Sequence, residues 1–462
     1  MGLERYVAIT ALHACSRAGD ALVARDGQRA YRWLDFDRAW RARAAQLASR
    51  PERRYLLATD HAYQFAVDWY ALMVTGATAV VPPNHLPASL QAAASWCEAS
   101  FGLPVPGRPV LPEPPFEAGP SPEPRFGEAR VELYTSGSSG EPKRIEKTLA
   151  MLADEVAMLE GLWGEQLADA SVLGTVPHHH IYGLLFRVMW PLAAGRPFFA
   201  LALPDPLDLQ YQVLQERTVA LVSTPAHLSR LPELVDLGLW RPHLARIYSS
   251  GGPLAAEPAH ALRAALGAAP TEVLGSTETG GIAWRVRDGG AQADAWRVLP
   301  GVQIDIDGDG ALAVTSAYAG VTAQVTGDAA YWLDDGCFCL TGRLDRIRKV
   351  AGKRLALPEM ERCLAAHPWV SEAAVMVLPR QDDRLGALLV LSTAGSEVLA
   401  AEGKAALVTG LRQALAQHFD AVLLPRRWRV VSQLPRDERG KLPAAAVEAA
   451  LTLPEPDDAA FA

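Results

Sequence analysis

Four short strand-like runs, each ending in a loop rich in Ser, Thr and Gly, constrain the fold of this chain more than any other feature. The runs are residues 131–134, 219–223, 246–248 and 272–274. Strand-like runs also alternate with helical periodicity, as in the strand at 54–59, the helix at 62–75 and the strand at 77–81. Because a β-α-β order favours parallel strands covered by helices, the sequence predicts an α/β fold.

The first of these loops lies within residues 134–143, which read Tyr-Thr-Ser-Gly-Ser-Ser-Gly-Glu-Pro-Lys. Its glycines permit positive φ, its hydroxyls add donors and Lys143 adds a positive charge, a composition that suits a polyphosphate. The spacing differs from the Walker A pattern, which argues against a Walker-type NTPase. The loop alone fits a plain surface turn equally well. Since ligands of parallel sheets bind beyond the carboxyl ends of the strands, the repetition of such loops is what predicts a nucleotide site.

The length of 462 residues exceeds what one hydrophobic core usually organises, so two or three domains are expected. Residues 103–125 are dense in proline and predict an extended connector, whereas residues 141–162 predict a helix directly after the loop. From residue 301 onward, short strands and tight turns predict a small antiparallel or barrel-like subdomain. A compact α+β unit is predicted for residues 346–462, with helices at 358–366 and 404–419 and strands at 373–378, 387–391 and 428–431.

Charge and cysteine content narrow the class of protein. The 44 basic and 52 acidic residues leave a formal net charge of −8, which argues against a nucleic-acid-binding surface over the whole protein. Five scattered cysteines predict a reducing compartment and no disulfide framework. Residues 1–9 lack the apolar core of a signal peptide, and the longest apolar region, 183–204, is interrupted by arginine and proline. A cytoplasmic protein without a membrane span is therefore expected.

Two groups of metal-binding residue types have competing interpretations. His178, His179 and His180 are adjacent, and adjacent side chains diverge on a strand or a helix. A substrate-pocket wall is therefore favoured over a packed or surface cluster and over a metal site. Cys337 and Cys339 flank one residue of a strand-like run, so they face one side and are expected to pack, because no second cysteine pair completes a tetrahedral site.

Seven motifs, in the order of the chain, resemble those of the adenylate-forming superfamily of acyl-CoA synthetases, peptide-synthetase adenylation domains and beetle luciferases. The resemblance covers nearly the whole length. The motifs are the loop at 134–143, the segment 177–183, Gly275-Ser276-Thr277-Glu278, Thr326-Gly327-Asp328, Gly342-Arg343-Leu344-Asp345, Gly352-Lys353-Arg354 and Gly440-Lys441.

The resemblance implies an enzyme that uses ATP and Mg²⁺ to activate a carboxylic acid as acyl-AMP with release of pyrophosphate. It implies Lys441, Thr277, Glu278 and His180 as catalytic residues, with Thr277 on the α-phosphate and Glu278 as the Mg²⁺ ligand. Lys441 would bridge the incoming carboxylate and the α-phosphate. The implied ATP- and AMP-binding set is Thr135, Ser136, Gly137, Ser138, Ser139, Gly140, Lys143, Gly251, Gly252, Leu274, Gly275, Ser276, Thr277, Asp328, Arg343 and Arg354.

The resemblance also implies how the chain is divided. Residues 1–344 would bind nucleotide and acid, and residues 345–462 would form a mobile domain that swings at the hinge Asp345. Asp328 is implied to bind both ribose hydroxyls, and Gly352 to face the thiol channel. Leu274 stands where the family often has tyrosine, so adenine is expected to pack on an aliphatic side chain. The first subdomain is also short, so some peripheral helices are expected to be missing.

The acyl acceptor implied by the resemblance is the pantetheine thiol of CoA or of an acyl carrier protein. No acidic residue follows His180 within residues 181–185, which argues against an amino acid as substrate. Aromatic and polar pocket candidates favour a hydroxylated aromatic acid. Residues 179–187 and 275–283 also resemble ligases of bacterial aryl-polyene and xanthomonadin-type pigment pathways, which load such acids onto a carrier protein. The pocket candidates, chosen by proximity to the motifs, are His180, Tyr182, Phe186, Ala226, His227, Ile282 and Trp284.

Several alternatives stay open from the sequence. Arg426, Arg427 and Arg429 fit a docking surface for an acidic carrier protein or for the phosphates of CoA, and equally a charged strand edge that prevents aggregation. The acid could instead be a medium- or long-chain fatty acid. A non-catalytic adenylate-binding protein of the same fold is disfavoured because Lys441 and Glu278 are both present, together with the ribose-binding aspartate.

Overall fold

The structure is a computed structural model that describes residues 5–114, 122–136, 142–290, 292–344, 347–350, 353–378, 384–436 and 442–452. Its contacts divide the chain into two compact units. The first comprises residues 1–304 and 313–324, and the second comprises residues 305–312 and 325–462. The domain boundary expected at residues 344/345 stays a prediction.

The helices and strands follow one another in the β-α order that the sequence predicts. The first are β1 (Leu22–Arg25), β2 (Ala30–Arg32), α1 (Trp33–Ala48), β3 (Arg54–Ala58), α2 (Ala62–Thr75), β4 (Thr78–Val81), α3 (Pro87–Ala93), β5 (Ala99–Gly102), β6 (Arg130–Ser136), β7 (Pro142–Thr148), α4 (Leu149–Leu167) and β8 (Ser171–Gly174). Next come α5 (Ile181–Gly183), a π-helical segment (Leu184–Met189), α6 (Trp190–Ala194), β9 (Phe198–Phe199), α7 (Pro206–Gln215), β10 (Val219–Ser223), α8 (Pro225–Leu228), α9 (Leu231–Leu234), β11 (Leu244–Ser249), α10 (Ala256–Leu266), β12 (Thr271–Ser276), β13 (Gly280–Val286) and β14 (Arg297–Val298).

The remaining elements contain the small antiparallel sheet and the α+β unit predicted from the sequence. They are β15 (Val302–Ile306), β16 (Ala311–Ser316), β17 (Gly320–Trp332), β18 (Phe338–Arg343), β19 (Ile347–Val350), β20 (Lys353–Ala356), α11 (Leu357–Ala365), β21 (Val370–Val377), β22 (Leu385–Leu391), α12 (Thr393–Leu415), β23 (Arg427–Val430) and α13 (Ala444–Thr452). The predicted helices and strands of residues 346–462 are thus confirmed.

Two parallel-rich sheets dominate the first unit. The larger has nine strands in the order β14-β13-β12-β11-β10-β8-β9-β1-β2, and its neighbours from β12 to β1 run parallel. The smaller has five strands in the order β5-β3-β4-β6-β7, with only the β6–β7 pair antiparallel. The predicted α/β fold is confirmed. Further sheets have the orders β15-β16-β17-β18, β19-β20 and β21-β22-β23.

The predicted helix at 141–162 is wrong in its first part, because residues 142–148 form strand β7. This strand pairs along its whole length with β6, so the phosphate-loop motif joins an antiparallel hairpin and does not lead into a helix. Helix α4 begins only after Thr148, whose hydroxyl accepts a hydrogen bond from the Met151 amide at 3.2 Å. The hairpin also places this loop on the five-stranded sheet, whereas β10, β11 and β12 lie side by side in the nine-stranded sheet.

Buried side chains cover both faces of the nine-stranded sheet. On one face, Ile247 of β11 packs in a cluster with Leu209 of α7 and Leu262 of α10. The next residue, Tyr248, points to the opposite face, where its ring lies 5.1 Å from Trp163 of α4 and 5.8 Å from Trp190 of α6. Burial of such large rings on both faces fixes the sheet between two helical layers. Among the described helices, none has both the length and the apolar character needed to cross a membrane.

Candidate functional site

The phosphate-loop motif begins and ends on two paired strands, β6 and β7. Thr135 and Ser136 close β6, and Lys143 of β7 lies opposite Thr135 in the register. Gly137, Ser138, Ser139 and Gly140 fall outside the described residues, so their predicted contacts with phosphate stay predictions. The hairpin fixes the backbone positions at which the loop begins and ends.

A tight turn between β12 and β13 carries the residues predicted to meet the α-phosphate and Mg²⁺. The Thr279 amide donates to Ser276 Oγ at 3.1 Å, and the Ser276 amide donates to Thr279 Oγ1 at 3.1 Å. These two hydroxyls close the turn, so Thr277 and Glu278 form its tip. A Cβ at Gly275 would lie 2.5 Å from the Gly280 carbonyl oxygen, which explains why glycine stands there.

Glu278 and Lys143 form an ion pair that joins the two motifs. Lys143 Nζ donates to Glu278 Oε1 at 2.8 Å, with about a third of the Glu278 side chain exposed. Burial raises the pKa of Glu278, but hydrogen bonds, chiefly that from Lys143, outweigh it and hold the pKa below its usual range. An ionised, partly exposed carboxylate is a ligand that Mg²⁺ accepts together with substrate phosphates. Glu278 therefore fits the predicted metal.

Two buried charged residues support this turn and were missed by the sequence reasoning. Lys147 of β7 donates to the Glu278 carbonyl oxygen at 2.7 Å and to the Tyr318 carbonyl oxygen at 2.6 Å. Glu155 of α4 accepts a hydrogen bond from the Gly281 amide at 2.6 Å. Burial lowers the pKa of Lys147 and raises that of Glu155 to about 7. The one signal in the sequence was a lysine on the same face of β7 as Ile145, a position that is usually apolar.

The predicted acyl-pocket residues lie on three parts of the first unit. Tyr182 and Phe186 are in contact, with ring centroids 4.9 Å apart, where α5 passes into the π-helical segment. Such π-helical segments occur frequently at functional sites. His227 lies on α8, directly after β10, with its Nδ1 3.0 Å from Thr224 Oγ1, and Ile282 is buried on β13. Burial, and to a smaller extent the charge of Arg230, lowers the pKa of His227.

Tyr248 is a further aromatic side chain beside these residues that the sequence reasoning did not select. Its ring lies 5.2 Å from that of Phe186, and its residue is fully buried on β11. Within the described part of the chain its hydroxyl oxygen has no hydrogen-bond partner. A buried hydroxyl without a partner costs free energy, so this group is available to a polar ligand atom or to water.

The three consecutive histidines make different contacts, although the rings of His179 and His180 lie close together, with centroids 4.5 Å apart. His178 is buried, with Nε2 2.8 Å from the Thr59 carbonyl oxygen, whereas His179 packs against His85 and His180 precedes α5. Asp60, His85 and His179 form a group whose possible ligand atoms lie within 4.8 Å of one another. His85 Nδ1 lies 2.8 Å from Asp60 Oδ1, and imidazole nitrogens and carboxylate oxygens are metal ligands, so this group offers three ligand atoms to a metal ion.

Gly251 and Gly252 follow β11 and are exposed. Gly251 has a φ of +91°, a conformation that favours glycine, and no atom lies within 4 Å of a Cβ added at either residue. Ser250 Oγ donates to the Val273 carbonyl oxygen at 2.8 Å and so ties this loop to β12, two residues before Gly275. The loop therefore has open space where the prediction places nucleotide.

The predicted ribose-binding residues belong to the second unit. Asp328 of β17 and Arg343 of β18 are register partners, and Arg343 Nη1 lies 3.5 Å from Asp328 Oδ1. A Cβ at Gly327 would come within 2.3 Å of the Arg343 guanidinium, so only glycine lets the arginine lie there. Arg354 is on β20, and nothing is described of its side chain. Asp345, Gly352 and Lys441 lie outside the described residues.

Residues 8–315 match the family described as AMP-binding enzyme, and residues 359–441 match the family described as AMP-binding enzyme C-terminal domain. A 4-coumarate–CoA ligase of Rhodobacter capsulatus is 31% identical over 326 residues, which cover 68% of this chain and 74% of that protein. A 4-coumarate–CoA ligase of Cereibacter sphaeroides is 30% identical over 315 residues, 68% of this chain and 70% of that protein. The crystal structure of ATP-bound MatB from Rhodopseudomonas palustris matches with a TM-score of 0.79 at 18% identity, over 96% of this chain and 98% of that chain.

Proposed function

The chain belongs to the family of AMP-binding enzymes, and on that premise we propose that it is an AMP-forming acid–thiol ligase. In the first step a carboxylate oxygen attacks the α-phosphorus of ATP, and the bond to pyrophosphate breaks to leave acyl-AMP. In the second step a thiol attacks the acyl carbon, AMP leaves, and the thiol proton is released. The observation that carries this proposal is the 2.8 Å ion pair between Lys143 and Glu278, which brings two separate motifs together.

Both steps need positive charge against phosphate oxygens and a fixed nucleotide. When bound, Mg²⁺ would supply part of that charge, held by the Glu278 carboxylate. Lys143 lies beside Glu278 and is more than half exposed, so it can turn to the departing pyrophosphate. Thr277 shares the tip of the turn and would donate to the α-phosphate, while Lys441 would bridge the attacking carboxylate and that phosphate.

Asp328 would hold the ribose through two hydrogen bonds, with Arg343 beside it. The Asp328→Ala variant is therefore expected to raise the KM for ATP about 10- to 100-fold, the effect of losing hydrogen bonds to a charged group. Acid-dependent pyrophosphate exchange at varied ATP measures this. The control is Asp334→Ala, which removes an exposed acid from the turn after β17 and should leave the KM unchanged. An unchanged KM in Asp328→Ala would remove this residue from the nucleotide site.

Asp345 would act as the hinge for the second step, Gly352 would face the thiol channel, and Arg354 would contact phosphate. The thiol would be the pantetheine group of an acyl carrier protein or of CoA. Arg427 and Arg429 of β23 would supply the cationic surface for an acidic carrier or for the phosphates of CoA.

We further propose a hydroxylated aromatic acid as substrate. The two relatives are named for 4-coumarate, an acid of this class. Tyr182 and Phe186 offer aromatic rings at the motif predicted to line the acyl pocket, with His180 beside them. The Tyr248 hydroxyl, buried next to Phe186, can be satisfied by a polar substituent of the ligand, reached directly or through water. His227 and Ile282 would complete the pocket.

A pyrophosphate-release screen tests both parts of the proposal. Hydroxybenzoates and hydroxycinnamates are expected to stimulate release, with CoA and then a holo acyl carrier protein as acceptor, whereas alkyl acids of similar size are not. Reaction with alkyl acids alone would refute the aromatic substrate. ATP binding without exchange over the whole panel would favour a non-catalytic adenylate-binding protein.

A further inference from the structure

Two charged side chains that belong to none of the seven motifs support the turn that carries Thr277 and Glu278. Lys147 is 2% exposed, and Glu155 is 3% exposed. They come from different elements, β7 and α4. Lys147 contacts the tip of the turn at Glu278, and Glu155 contacts the strand that follows it at Gly281. Charged side chains are rarely buried unless they have specific hydrogen-bond or ion-pair partners, so the burial of Lys147 and Glu155 requires an explanation.

Lys147 contacts the turn itself. Its Nζ donates to the carbonyl oxygen of Glu278 at 2.7 Å and to the carbonyl oxygen of Tyr318 at 2.6 Å. One ammonium group therefore ties the peptide carbonyl of the predicted Mg²⁺ ligand to a residue that lies 40 positions further along the chain. Tyr318 is itself anchored, because its hydroxyl donates to the Pro300 carbonyl oxygen at 2.8 Å.

Glu155 contacts the strand into which the turn leads. Its Oε1 accepts from the Gly281 amide at 2.6 Å. Gly280 has a φ of +66°, and a Cβ there would lie 2.7 Å from Glu155 Oε2 and 3.0 Å from Tyr318 Cβ. The backbone thus approaches the carboxylate as closely as glycine allows, which fixes the exit of the turn.

The entry of the turn is closed separately by the hydroxyls of Ser276 and Thr279, which bond to each other's backbone amides. These two hydrogen bonds close the turn locally. They do not fix the position of the turn relative to β7, the strand from which Lys143 reaches Glu278. Lys147, four residues further along the same strand, supplies that link.

We propose that Lys147 and Glu155 are positioning residues that hold Thr277 and Glu278 in place for Mg²⁺ and the α-phosphate. The proposal rests on the function proposed above, because the turn matters only if nucleotide binds there. Neither side chain touches the nucleotide in this role. Each acts through the backbone of the turn, in the way that supporting residues fix catalytic groups in other enzymes.

The test compares the full-length chain with Lys147→Met, which keeps the length of the side chain but removes its charge and donors, and with Glu155→Gln, which keeps an acceptor oxygen. Titration calorimetry with a non-hydrolysable ATP analogue and Mg²⁺ is expected to give a Kd about 10-fold higher for Lys147→Met. Acid-dependent exchange is expected to show a kcat about 100-fold lower and a raised Mg²⁺ requirement, with the KM for the acid within twofold of wild type. Glu155→Gln should raise the Kd and lower the kcat by about 5-fold each, again with a raised Mg²⁺ requirement and an unchanged KM for the acid.

Glu146→Gln is the matched control, since Glu146 is the exposed neighbour of Lys147 on β7, and it should behave as wild type. A merely structural role would lower the fraction of active enzyme while Kd and the Mg²⁺ requirement stay unchanged, and this result would overturn the proposal. If Lys147→Met does not fold, Glu155→Gln decides. A wild-type protein that binds Mg²⁺ and nucleotide but activates no acid would overturn the proposed function, and the Kd values would still decide the positioning role.

Discussion

The Lys441→Ala variant is expected to lose about 10³-fold of its acid-dependent ATP–pyrophosphate exchange. This lysine would stabilise the charge that develops as the acid carboxylate meets the α-phosphate, and removing one such donor typically costs 10²- to 10³-fold. The proposal assigns to no other residue the task of bringing those two anions together. Initial rates of exchange at saturating acid and ATP measure the loss, and circular dichroism checks that the variant is folded.

The matched comparison is Lys143→Met, for which a loss of only about 10-fold is expected. Lys143 would contact the pyrophosphate, whose charge Glu278-bound Mg²⁺ also offsets, so its removal leaves part of the stabilisation in place. The side chain of Lys143 is also more than half exposed, and its amine pairs with Glu278. Both features reduce the free energy that this lysine contributes to binding pyrophosphate. Equal losses in the two variants would contradict the proposed division of roles, and full exchange activity in Lys441→Ala would exclude a catalytic role for that residue.

The Glu160→Met variant is expected to lower the free energy of unfolding by about 3–5 kcal/mol, the usual cost of leaving a buried charge without its partner. Glu160 of α4 accepts from Arg196 Nη1 at 2.5 Å and from the Trp190 indole at 2.7 Å. The side chains of Glu160 and Arg196 are each about 4% exposed. The Arg196 guanidinium keeps the Gly164 and Ala168 carbonyl oxygens as partners, but they carry no full negative charge.

The double variant Glu160→Met/Arg196→Met should be less destabilised than Glu160→Met alone, because it leaves no unpaired charge in the core. Urea denaturation followed by tryptophan fluorescence measures both. Asp169→Asn is the control, since its ion pair with Arg217 is 3.6 Å long and exposed, and a change within about 0.5 kcal/mol is expected. If the double variant loses as much free energy of unfolding as Glu160→Met and Arg196→Met together, the two charges do not stabilise each other and the pair contributes through packing alone.

Much of the fold could be read from local pattern. The strand at 54–59, the helix at 62–75 and the strand at 77–81 correspond to β3, α2 and β4 within two residues. Each has its own periodicity, and α2 ends at Gly76, whose φ of +72° marks a left-handed helix end. Such signals lie within a few residues of one another, so they can be recognised without knowing which distant residues each element packs against.

The error at residues 142–148 shows where local pattern fails. Arg144 and Glu146 are exposed while Lys147 is buried, and this alternation is strand-like only if a lysine is accepted as an inward-facing residue. The partner that makes this possible is a carbonyl oxygen at Glu278, 131 positions away. No window of neighbouring residues contains that information, so a helix running straight into α4 was the simpler prediction.

The sequence by itself determined the α/β class and the family, and it predicted the site residues from the loop at 134–143 to Lys441, because each motif is a short run whose residue types its chemistry requires. Only the tertiary structure decided that the strands flanking the loop pair in one sheet while Thr277 and Glu278 follow a strand of another, with Lys143 reaching Glu278 from the first sheet. It alone brought Lys147, Glu155 and Tyr248 to the site. Their side chains are ordinary in sequence, and they gain a role only through contacts between distant segments.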